Sequence, residues 1–74
     1  MVAGRWESKL NLWCNRITGY MVRRISTNAD MRRSTEYHVF MSRKDMVLGN
    51  ILAICLSIKE SKETADRHAK ENGR

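Results

Sequence analysis

Three pairs of adjacent cations, Arg23-Arg24, Arg32-Arg33 and Arg43-Lys44, are the residues of this 74-residue chain whose type and spacing could do chemistry. A guanidinium presents its N–H donors in a planar fork that matches a phosphate or a guanine edge two bonds at a time, so paired arginines point to nucleic acid, DNA first. Neighbours on a strand face opposite sides, so Arg23 and Arg24 cannot both face one ligand unless a bulge or twist re-aims one of them. Residues 1–44 hold nine Lys+Arg against three acids and residues 45–74 hold five of each, so the whole net charge of +6 lies in the first part. That asymmetry argues for an anionic partner and for solubility, and says nothing about fold.

Other chemistries find little support. Ser34, His38 and Asp30 can be drawn as a triad, but they fall on one loop and strand with no glycine motif for an oxyanion hole. No phosphate-cradling glycine loop or HExxH helix is present, so an enzyme is not expected. Cys14 and Cys55 sit among apolar neighbours and read as packing thiols. A zinc site assembled from Cys14, Cys55, His38 and His68 lacks the close ligand spacing of structural zinc, and no metal or cofactor is expected. Phe40 and His38 could stack on bases, although an aromatic at such a position more often packs a small second core.

The elements that must position the arginines follow from periodicity. Leu10, Leu12 and Cys14 share one parity and Asn11 and Asn15 the other, which predicts a half-buried strand interrupted by Trp13. Residues 20–26, rich in β-branched and aromatic types, and residues 35–42, with alternating Thr35, Tyr37, Val39 and Met41, predict two strands of a hairpin. Residues 26–30 form a turn cluster, so a polar loop of about eight residues would join them. Residues 42–45 read as a second turn.

The apolar run from Val47 to Leu56 admits two readings. In the first it is a buried strand, bulged at Gly49-Asn50, followed by a helix from Ile58 to about Glu71 that opens on the capping box Ser57-Ile-Lys-Glu60 and stops at Gly73. In the second, residues 46–72 form one long helix, since positions 47, 51, 54, 58, 65 and 69 keep a spacing of three to four. Gly49 and the β-branched Val47, Ile51 and Ile54 disfavour that helix, and the first reading is preferred. Within residues 58–71, Ile58, Ser61, Ala65 and Ala69 form the packing stripe, and Glu63–Arg67 and Asp66–Lys70 are spaced as ion pairs.

A last strand running into S-I-K-E-S-K-E-T-A-D-R-H-A resembles the ending of many small phage or prophage proteins, across about the last 40 residues. The implied three-stranded sheet backed by one helix is similar to the arm-site DNA-binding domains of phage integrases and to plant AP2-type domains, a resemblance that implies a sheet inserted into a DNA groove.

These readings give a single α+β domain over residues 1–74, a three-stranded antiparallel sheet packed by one C-terminal helix. Its expected function is non-enzymatic binding of DNA through a hairpin carrying Arg23, Arg24, Arg32, Arg33, Arg43 and Lys44. The alternative is a phage-type regulator or inhibitor that docks on a host protein, as a homodimer pairing its sheet edges. The N-terminus lacks the apolar core of a signal peptide and no run approaches the roughly 20 apolar residues of a membrane span, so a cytoplasmic location is expected.

Overall fold

The computed structural model of the protein describes residues 6–29 and 32–73, and for residues 28, 29, 32 and 33 the backbone alone. Five strands form one antiparallel sheet in chain order: β1 (Trp6–Lys9), β2 (Leu12–Asn15), β3 (Met21–Ala29), β4 (Arg32–Phe40) and β5 (Ala53–Cys55). Helix α1 (Arg43–Leu48) links β4 to β5, and α2 (Ile58–Glu71) follows β5. The three-stranded sheet with a single helix is therefore overturned, while the α+β class stands.

The errors have physical sources. Residues 27–34 are expected as loop, yet 27–29 and 32–34 extend the hairpin ladder, with Thr27 opposite Ser34 and Asn28 opposite Arg33. Beyond the Arg24–Tyr37 pair no third strand among the described residues flanks this ladder, and with Ser26, Thr27, Ser34 and Thr35 exposed the apolar alternation that marks a strand is absent. Ser42, expected in a turn, is instead the N-cap of α1: its Oγ accepts from the Asp45 amide at 3.1 Å and donates to Asp45 Oδ2 at 2.9 Å. Gly49 ends that helix at φ 77°, a left-handed conformation natural to glycine, and is a helix stop in place of the expected strand bulge. A helix through residues 46–72 is equally excluded, since β5 intervenes.

Helix α2 keeps the boundaries that its capping spacing predicts, with Ser57 Oγ accepting from the Glu60 amide at 3.1 Å. Its buried residues are small, Ser61, Ala65 and Ala69, and they bring its backbone close to Tyr20, Val22, Val39 and Cys55. Paired residues share a face, so Trp13, Val22, Val39 and Ala53 lie in one row under α2. The next row on that face holds Arg24, Tyr37 and Cys55. Trp13 and Tyr37 meet there with ring centroids 5.8 Å apart.

Directional bonds orient the helix. Asp66 does not pair with Lys70; its carboxylate accepts from Trp6 Nε1 and from Asn15 Nδ2, each at 3.4 Å. Asn15 is fully buried, and its Oδ1 accepts from the amides of Ile17 at 2.9 Å and Thr18 at 3.1 Å. Tyr20 Oη and His68 Nδ1 lie 2.6 Å apart. The parity expected to face water in β2 thus carries its most buried side chain, whereas Leu10, expected inside, projects from a turn.

Asn15→Ala strands two backbone amides and removes a bond to α2 without relieving any crowding. It is expected to lower the unfolding free energy by about 2–4 kcal/mol in urea titration, and Asp66→Ala by about 1–2 kcal/mol. An Asn15→Ala protein as stable as wild type would remove this network from the account of the fold.

Candidate nucleic-acid interface

The opposite face of the sheet is built from the other parity of each strand. One cross-strand row spans all five strands there, Lys9, Leu12, Arg23, His38 and Ile54. Beside it runs Glu7, Cys14, Met21 and Phe40, of which Met21 and Phe40 are buried. Phe40 is therefore the anchor of a small second core and offers no ring to a base. His38 is also unavailable, half-buried with its Nε2 3.3 Å from Glu36 Oε1.

Cys14 and Cys55 fall on opposite faces of the sheet, so no metal site is drawn from both. Ser34 and His38 stand four strand residues apart, about 13 Å, too far for a nucleophile and its base. Asp30, the third member of that drawing, lies outside the described residues.

An open cleft of about 610 Å³ occupies the cationic end of this face, lined by Lys9, Leu10, Asn11, Leu12, Arg23, Arg24 and Met46. Three elements make it: the β1–β2 turn supplies one wall, β3 the floor, and α1 reaches over with Met46. Arg24 belongs to the α2 face by register but is exposed, and its guanidinium is held at the β1–β2 turn. Its Nε, at 3.1 Å, and its Nη2 both donate to Asn11 Oδ1, while its backbone amide donates to the Asn11 carbonyl at 2.8 Å. The remaining guanidinium donors stay available to a ligand in a preset orientation.

Arg23 and Arg24 thus serve one cleft without a bulge, a route that strand parity alone does not reveal. Lys9, absent from the sequence-predicted set, joins them, and the signal for it was the two-residue turn at 10–11, which folds β1 back beside β2. Arg43 and Lys44 are exposed on the first turn of α1, three and two residues before the Met46 wall. The backbone register sets Arg33 opposite Asn28 and Arg32 opposite Ala29 at the far end of the ribbon; their side chains lie outside the description. Among the described residues, Lys9, Arg23, Arg24, Arg43 and Lys44 have no carboxylate partner, whereas Arg16 is paired to Glu7 at 3.5 Å.

No family model, curated protein or solved structure matches this chain. Its own geometry is what speaks to function. Among the described residues no helix is long and apolar enough to cross a membrane.

Leu10 marks the lip of the cleft. It has φ 56° and is 93% exposed, a conformation that costs a residue with a side chain about 1–2 kcal/mol for no burial in return. Leu10→Gly removes that strain and adds some unfolded-state entropy, so it is expected to raise stability by about 0.5–1 kcal/mol in urea titration. A destabilised Leu10→Gly protein would mean that the side chain contributes to the fold after all.

Proposed function

We propose that this protein binds DNA, as a duplex and through its phosphates, with the cationic cleft as the docking point and the β3–β4 ribbon as a probe of the adjacent groove. The observation that carries the reading is the convergence of Lys9, Arg23 and Arg24 on one open cleft with no carboxylate among the described residues to neutralise them. Lys9 and Arg23 are two strand spacings apart, about 10 Å, between the ~6 Å and ~12 Å widths of the minor and major grooves.

The ribbon adds reach. From Ile25–Glu36 to Ala29–Arg32 it extends five residue pairs past the multi-stranded body, about 13 Å of strand. The major groove admits a two-stranded ribbon and is ~8.5 Å deep, so this length suffices to span it. Ser26, Thr27, Ser34 and Thr35 on the ribbon supply hydroxyls of the kind that contact phosphate oxygens.

Duplex is favoured over single strands by the state of the rings. Trp6, Trp13 and Tyr37 are half-buried and Tyr20 and Phe40 buried, which leaves no exposed aromatic platform for unpaired bases.

Binding to a random duplex is expected to weaken steeply with salt, with log K falling by about 0.9 per neutralised phosphate, a slope near −3 to −5 for three to five contacts. Arg23→Ala combined with Arg24→Ala should reduce that slope by about two and lower affinity equally on unrelated duplexes, with an unchanged circular dichroism spectrum. Fluorescence anisotropy from 50 to 200 mM salt reads both. Absent binding, or affinity indifferent to salt, overturns the proposal.

A further inference from the structure

Among the described residues, five of the seven exposed large hydrophobics, Val47, Leu48, Ile51, Ile54 and Leu56, fall within residues 47–56. They lie in the longest stretch of the chain without a charged side chain, residues 46–58, in a molecule that otherwise carries +6. Edge strands are ordinarily protected by charge, proline or a bulge. The two edges of this sheet differ in that respect: β1 has Glu7 and Lys9 exposed along it, while β5 reads Ala-Ile-Cys with Ile54 half exposed.

The β5 backbone is also oriented for pairing. The Val39 carbonyl accepts from the Leu52 amide at 2.7 Å, so Val39 and its neighbour Ala53 direct their polar groups at one another. Alternation along the strand then turns the amide and carbonyl of Ile54 outward, where no strand among the described residues pairs with them.

We propose that two copies of this chain associate through the outer edge of β5, antiparallel about a twofold axis at Ile54, with the apolar side chains of residues 47–56 packed around the junction. A second copy is the occupant that fits. Two +6 molecules repel over most of their surfaces, and an isologous contact forms most readily where the surface carries no charge. At their exposures the five side chains present on the order of 500 Å² per copy, so a pair buries about 1,000 Å², the lower limit of a specific interface. The joined backbone ladder adds direction that the apolar contact lacks.

The arrangement has a geometric consequence that rests on the DNA-binding reading. A twofold axis normal to a continuous sheet keeps both Lys9–Arg23 rows on the same side. From Leu12 of one copy to Leu12 of the other is seven strand spacings, about 34 Å, close to one turn of B-DNA.

Sedimentation velocity over the micromolar range tests the association, with wild type passing from monomer to dimer. Ile54→Lys gives β5 the guard that β1 has and is expected to weaken dimerisation at least tenfold, with an unchanged thermal melt. Val47→Lys and Leu56→Lys, at residues more than three-quarters exposed, should do the same without disturbing the core. A wild type that stays monomeric at about 500 µM overturns the proposal, as does a dimer indifferent to all three substitutions or a β5 edge that takes only a different protein. Adding a random duplex of about 20 base pairs then separates the two readings: a dimer that binds no DNA refutes the DNA interface and leaves the β5 contact standing.

Discussion

The carboxylate of Asp66 is the point on which the arrangement of this small fold turns. It accepts from Trp6 in β1 and from Asn15 at the end of β2, residues 60 and 51 positions away in the chain. Asn15 in turn holds the turn into β3 through the amides of Ile17 and Thr18. Helix α2 buries only Ser61, Ala65 and Ala69, side chains too small to fix its direction by shape. Small residues let the helix approach the sheet closely, and the polar bonds decide how it lies there. A half-satisfied network at this position would cost more than it gives, which is why Asn15, fully buried, has both ends of its amide engaged.

Fixing α2 on one face determines the character of the other. The row Lys9, Leu12, Arg23, His38 and Ile54 changes from cationic at the β1 side to apolar at the β5 side within five strands. Charge and apolar surface are thereby separated along a single direction. Acidic residues that would have neutralised the cationic end are committed elsewhere: Glu7 to Arg16, Glu36 beside His38 and Asp66 under α2. Among the described residues the carboxylates lie beside Arg16 and His38, at the cap of α1 or along α2, which leaves the cations of the cleft a local positive field.

What the sequence made legible tracks how each signal arises. The capping spacing at Ser57 is a local, chemical pattern, and it located α2 to the residue. The same pattern stands at Ser42-Arg-Lys-Asp45, but the apolar run behind it, Val47 to Leu56, reads as buried strand, and burial is the wrong inference because most of that run faces water. The ribbon was illegible for the converse reason, since a two-stranded extension has no inside and so no alternation. Arg23 and Arg24 were legible as cations but not as partners in one cleft. Their convergence depends on Asn11, whose side chain holds the Arg24 guanidinium, and no periodicity within β3 contains that information. Asn15 was placed on the wrong face for a related reason, because a buried amide has the outward sequence signature of a solvated one.

The smallness of the core bears on what such a site can do. Bringing Lys9 and Arg23 to about 10 Å costs roughly 0.4 kcal/mol in water, and several times that at the lower effective dielectric of a partly enclosed site. A chain this short, with a handful of buried side chains, tolerates the first cost at an exposed cleft and not the desolvation of a buried charged pocket. An open, water-screened cluster is the arrangement its stability permits. A polyanion meets that cluster on its own terms, since the association is driven by release of counterions and needs no buried pocket. Length, charge and openness therefore bear on one another: the limit that keeps the core small also keeps the binding surface electrostatic and outside.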